Sequence, residues 1–176
     1  SHQFIIGSIT KSFTATVVLQ LAEEGKVELS SPLINYLPGE WAAILKKVKY
    51  GSEITVEHAL SHRSGIFEVM SFSYFSQFVL PDPSRPLSQL EVINLLSDQS
   101  APYFKPGESF KYTNFNYFLL GGLIENVTGT PLKTVFEKNI FSKIGLKDSF
   151  LSEGPFGSNQ EGIAHGYLKI NNKLYD

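Results

Sequence analysis

Between Ser8 and Glu24, apolar residues recur at a spacing that only a helix brings to one side: Ile9, Phe13, Val17 and Leu21 follow i, i+4 steps. Ala15, Val18, Leu19 and Ala22 widen that face until little polar surface remains. Such a helix draws its stability from tertiary packing rather than from propensity. The pattern therefore predicts a helix over 8–24 surrounded by protein. The rest of the chain can supply the surroundings, because 42% of its 176 residues are hydrophobic and only 18% charged, which suits a folded core. The length fits one domain or a large piece of a bigger one. A net charge of −2 without a basic cluster gives no sign of nucleic acid as a partner. No apolar run reaches the roughly 18 residues that would cross a bilayer. Cysteine is absent, which excludes disulfides, thiolate metal ligands and a cysteine nucleophile, and leaves the compartment open.

Further along the chain, Phe4 to Gly7 reads as a strand end or extended lead-in, and Gly25 as the stop of the first helix. Ser31-Pro32 opens a short helical turn that ends before Pro38-Gly39. Thr55 is an N-cap for a helix to about Ser61, broken at Ser64-Gly65. The aromatic stretch from Met70 to Leu80 reads as helix or packed loop, with Phe72 to Phe78 either a lid over a cleft or core. Pro81 to Pro86 reads as loop. Ser88 and Glu91 form a capping box for a helix through Leu96. A turn at Pro106-Gly107 precedes a helix from Phe115 to Val127, whose Gly121-Gly122 predicts close approach of another backbone. Gly129 ends that helix, and Pro131 starts another to about Phe141. A strand from Gly166 to Ile170 and a turn at Asn171-Asn172 close the chain. Helices outnumber strands, and a sheet is hinted at only near the two ends.

Ser8 and Lys11 stand one helical turn apart at the start of the first helix, so hydroxyl and amine share a face. A serine needs a neighbouring base to become a nucleophile, and a lysine amine can serve. The helix N-terminus adds backbone N–H groups suited to a developing oxyanion. The S-x-x-K spacing alone arises about once by chance in a chain this long, and Ser8 could equally cap the helix with Lys11 in solvent. A second pair, Tyr112 and Asn114, points one way from an extended segment. A phenol can relay a proton and a carboxamide can bind a carbonyl. The plain alternative is a core tyrosine followed by an Asn N-cap.

Taken in order, these segments resemble the class C β-lactamase and DD-peptidase group of serine hydrolases, which also includes esterases. Phe4, Ser8, Thr10 and Lys11 match its F-x-x-x-S-x-T-K stretch, and Phe13 to Leu29 match the helix and turn that follow. Ile54 to Ile66, with His62-Arg63-Ser64-Gly65, is similar to a stretch ending L-x-H-x-S-G. Tyr112-Thr113-Asn114 matches the Y-[SA]-N box with Thr in the middle. Gly121 to Gly129 and Phe141 to Leu146 resemble the following helix and F-x-P-L-G-M segment, with Lys143 where proline is usual. The resemblance implies an α+β fold of which this chain is mainly the helical region, with short terminal strands, as one domain over 1–176 incomplete at both ends. It implies Ser8 as acylated nucleophile, Lys11 as its activator, Tyr112 as general acid/base and Asn114 as substrate contact. The backbone N–H of Ser8 would be one oxyanion donor.

By the same resemblance, the substrate is a small molecule or peptide, namely a β-lactam, a D-amino-acyl peptide or an ester. Neither cofactor nor metal is implied; the residues leave the localisation unknown, and the resemblance favours an extracytoplasmic setting, periplasmic or secreted. The group's third box, [KH]-[ST]-G, has no match after Tyr112, and the chain opens at Ser1-His2-Gln3 without Met or signal peptide. The expectation is a piece cut at both ends, with little or no turnover by itself. A non-catalytic interaction module on the same fold is the main alternative, and a plain helical scaffold with chance motifs a weaker one. His58 and His62, at i, i+4, could suit a metal but lack a nearby third ligand. His165 near a pocket rim, Glu108 and Glu125 as acid/base groups, and the sequon Asn126-Val127-Thr128 each have an ordinary surface reading.

Overall fold

The structure, a computed structural model, describes residues 3–68, 88–96, 101–151 and 162–164, and the backbone of 168–170 and 173–175. The segments 70–80 and 81–86, and His165, lie outside the described residues.

A 3-10 turn at Gly7–Ile9 leads into α1, Thr10–Glu23. Another such turn, Leu33–Tyr36, precedes α2, Gly39–Lys47. Then come α3 (Val56–Leu60), α4 (Gln89–Asn94) and α5 (Asn114–Thr128). The next helix starts as α6, Leu132–Phe136, widens into a π turn at Glu137–Phe141 and ends as α7, Ser142–Ile144. Antiparallel β1 (Leu168–Ile170) and β2 (Lys173–Tyr175) pair with Leu168 opposite Tyr175. At the other end the lead-in contributes one parallel bridge, Gln3 to Ile163, in place of a strand.

Local chemistry explains most boundaries. Thr55 caps α3 by accepting from His58 N, and the His58 ring accepts from Thr55 N, so histidine takes the place glutamate fills in the usual capping box. Ser88 and Glu91 form the expected box on α4. Gly129 ends α5 in the left-handed region. Helix α2 was not foreseen, although Trp41, Ile44 and Leu45 fall at helical spacing and all three are buried. A Pro-Gly pair at its start reads as a turn and hides the helix.

The more enclosed helix is α5 rather than α1. Every residue from Leu119 to Ile124 is buried, and α1 and α3 both pack against α5. Helix α1 buries Thr14, Val17, Val18 and Leu21, but Ile9 is 62% exposed and Leu19 47%, so its outer side is uncovered. The buried apolar side chains of α1 to α6 form one cluster with Ile140 and Phe141.

What approaches the glycine pair is a side chain, not a backbone. A Cβ on Gly122 would lie 2.3 Å from Cζ3 of Trp41, and that indole is stacked on Phe118 with centroids 4.8 Å apart. Gly122→Ala gains up to about 1 kcal/mol of helix propensity. The indole cannot retreat from the stack, so overpacking of about 1–3 kcal/mol or more is expected to dominate. Urea unfolding should show the variant less stable than wild type.

Candidate active site

Two loops bring the distant residues together. The segment 62–65 pairs with 103–111 through Tyr103 N to Gly65 O (2.9 Å), Gly107 N to Arg63 O (2.9 Å) and Lys111 N to His62 O (3.0 Å). The Arg63 guanidinium also donates to the Gly107 carbonyl. Gly65 is required there: its φ is +74°, and a Cβ would sit 2.1 Å from the Phe104 carbonyl oxygen. This ladder delivers Tyr112 and Asn114 to the start of α1.

There the four sequence-predicted side chains meet. Lys11 Nζ donates to Ser8 Oγ at 3.1 Å and to Asn114 Oδ1 at 2.8 Å. The Tyr112 hydroxyl donates to Ser8 Oγ at 2.9 Å and lies 3.5 Å from Asn114 Oδ1. Both plain alternatives give way to this geometry. Neither the 3-10 turn nor α1 has a side-chain cap, so Ser8 is not spent on one. Thr113 caps α5 by accepting from Phe115 N, which leaves the Asn114 carboxamide for the cluster. Tyr112 is 42% exposed rather than a core residue.

Burial by itself would raise the Tyr112 phenol, but hydrogen bonding with Lys11 and Ser8 and the charge of Lys11 outweigh it, and the phenol is held below its ordinary 10.0. Lys11 also faces two rings, with Nζ 5.1 Å from the Tyr112 centroid and 5.8 Å from that of Tyr117.

Three further residues were not anticipated as part of this site. Tyr117 follows Asn114 by three helical positions, a spacing that could have revealed it. Glu68 Oε2 accepts from Asn114 N at 2.6 Å and from Asn114 Nδ2 at 3.2 Å. No motif marked it. The third, His62, sits in the left-handed region (φ 56°), and its ring packs against those of Tyr112 (4.4 Å) and Tyr117 (5.2 Å).

His62 Nδ1 faces two N–H donors, Thr113 N at 3.4 Å and Asn116 Nδ2 at 3.3 Å, so it serves as the unprotonated nitrogen. Burial, then the charge of Lys11, lowers its pKa from the ordinary 6.5 against an opposing pull from Glu68. Because the folded value lies below the unfolded one, the stabilisation is full above pH 6.5 and drains as pH falls below it. Urea melts at a series of pH values should show that loss, and His62→Gln should flatten it.

The other sequence candidates lie elsewhere. His58 Nδ1 is engaged in its capping box, and no group of three metal-ligating side chains occurs among the described residues. Glu108 accepts from Lys105 N, and Glu125 accepts from Gln89 Nε2 and Leu132 N. Asn126 of the sequon donates to the Tyr36 carbonyl. A surface hollow of about 510 Å³ between Glu137 and Phe150 shares no residue with the cluster.

The family model described as Beta-lactamase matches residues 1–170. The chain belongs to the Beta-lactamase family. It is 28% identical over 171 residues to an unguisins hydrolase of Aspergillus campestris, covering 94% of this chain and 30% of that protein. A D-stereospecific amidohydrolase from Streptomyces superposes with a TM-score of 0.77 at 30% identity, over 97% of this chain and 51% of that one. An octameric penicillin-binding protein homologue from Pyrococcus abyssi gives a TM-score of 0.72 at 31% identity, over 97% and 37%. This Beta-lactamase family chain thus spans about 30% of the length of the curated relatives it matches. Its largely helical structure with few strands corresponds to the helical region of the family's fold. No described helix is long and apolar enough to cross a membrane.

Proposed function

We propose that the protein is a serine hydrolase that works through an acyl-enzyme on Ser8, with residues 1–176 forming the helical part of its domain. The observation that carries this reading is the unbroken run of contacts joining Lys11, Ser8, Tyr112 and Asn114. The family and its hydrolase relatives support the reaction type.

In the proposed cycle the Tyr112 phenolate takes the Ser8 proton. Lys11 donates to Ser8 Oγ and to Asn114, and its charge favours the ionised phenol, so it works here as the cation that tunes the base. Ser8 Oγ then forms a bond to the substrate carbonyl carbon, and the carbonyl electron pair moves to oxygen, where the Ser8 backbone N–H is one donor. Collapse of this intermediate expels the leaving group, which receives the proton from Tyr112. Water, deprotonated by the same phenolate, bonds to the acyl carbon, and the bond to Ser8 Oγ breaks as Tyr112 returns the proton to that oxygen. Asn114 would contact the substrate's acyl portion.

The proposed substrate is a D-amino-acyl amide or peptide, a β-lactam, or an ester. The similarity to the D-stereospecific amidohydrolase from Streptomyces supports the first. To test this, full-length protein is treated with a labelled fluorophosphonate or penicillin and the adduct mapped by mass spectrometry. An adduct on Ser8 is expected. A folded, full-length protein that acquires none is instead a non-catalytic module.

A further inference from the structure

We propose that Glu68 is a positioning residue for the reaction proposed above: it locks the Asn114 carboxamide with its oxygen on Lys11 and one amide proton free for substrate. The inference rests on that reading of the site and adds a residue that no motif assigns.

The chemistry of the three partners permits only one arrangement. A carboxylate has no proton to give, and an ammonium has no lone pair to offer. The Asn114 carboxamide stands between them, with Nδ2 3.2 Å from Glu68 Oε2 and Oδ1 2.8 Å from Lys11 Nζ. A flipped amide would set a carbonyl oxygen against the carboxylate and an NH₂ against the ammonium. Both contacts would become repulsive. The same Oε2 also accepts Asn114 N at 2.6 Å, so the carboxylate grips backbone and side chain of one residue together. Thr113 takes the next backbone N–H, that of Phe115, and Glu68 therefore also fixes where α5 begins relative to Ser8. An amide nitrogen carries two protons. Glu68 takes one, and the other is the donor that Asn114 can present to a bound acyl group.

Conservative replacement separates positioning from charge. In Glu68→Gln the new carboxamide oxygen can accept both bonds, whereas Glu68→Ala leaves both donors without this acceptor. The test uses full-length protein in five forms: wild type, Glu68→Ala, Glu68→Gln, Asn114→Ala and the double variant Glu68→Ala/Asn114→Ala. Fluorophosphonate labelling of Ser8 is timed in each, and folding is followed by circular dichroism. Glu68→Ala is expected to slow labelling by about 10- to 100-fold, and Glu68→Gln to recover it to within about threefold of wild type. In the double variant Glu68→Ala/Asn114→Ala, the loss should be no greater than that of Asn114→Ala alone.

A second measurement is independent of labelling. The Asn114 side-chain amide resonances in ¹⁵N spectra should keep their position in Glu68→Gln and move in Glu68→Ala. Wild-type labelling in a folded Glu68→Ala, additive losses in the double variant, or unmoved Asn114 resonances would each overturn the assignment. If wild type itself fails to label at Ser8, the hydrolase reading falls, and the amide resonances still decide whether Glu68 holds Asn114.

Discussion

Ser8→Ala should abolish both covalent labelling and hydrolysis by the full-length protein while leaving its stability unchanged. Removing a nucleophile that acts in concert with a base costs on the order of 10⁴-fold or more in turnover. The stability half of this expectation separates the two roles open to this serine. A serine that capped α1 would cost about 1 kcal/mol when truncated. Ser8 makes no capping bond, is exposed, and its hydroxyl contacts Lys11 and Tyr112 among the described residues. The midpoint of urea unfolding should therefore correspond to a change within about 0.5 kcal/mol. A variant that loses stability but keeps hydrolytic activity would show Ser8 to be structural.

Tyr112→Phe is expected to slow acylation of Ser8 by roughly 100- to 10,000-fold, the usual range for a lost general base. The ring should remain, since its packing against His62 does not involve the hydroxyl. What disappears is the proton acceptor 2.9 Å from Ser8 Oγ. The pH dependence identifies the group. In wild type the phenol is held below 10.0, chiefly by hydrogen bonds with Lys11 and Ser8 that overcome burial, so phenolate accumulates at lower pH than for free tyrosine. Acylation should rise with pH through that ionisation and then level off. Tyr112→Phe should lack the limb, and Lys11→Met should move it to higher pH. Stopped-flow acylation across the pH range measures all three. A limb that survives in Tyr112→Phe would assign the first proton to Lys11.

Local contacts were legible in the sequence, and long-range ones mostly were not. Ser8 and Lys11 share one turn, so their proximity follows from helix geometry alone. The caps at Thr55 and Ser88 and the stop at Gly129 rest on interactions within a few residues. Tyr112 reaches Ser8 across 104 positions, and only family resemblance suggested that they meet. Glu68 meets Asn114 across 46 positions with no spaced pattern to announce it. The Gly121-Gly122 pair correctly signalled close approach, but a glycine does not say what approaches, and Trp41 lies in a helix concealed by its own Pro-Gly start. Periodicity also placed α1 deeper than it lies, because apolar spacing shows which residues group together, not how far the neighbours extend.

Gln3 and Ile163 are joined in parallel, with Gln3 N bonded to Gly162 O and Ala164 N to Gln3 O, both at 2.8 Å. Closing so wide a loop carries an entropic debt that contacts among nearer neighbours do not. The helices can therefore condense before the stretch leading to Ser8 is tethered. Assembly of the proposed site is then expected late in folding, with a newly made chain compact before Ser8 is held in place.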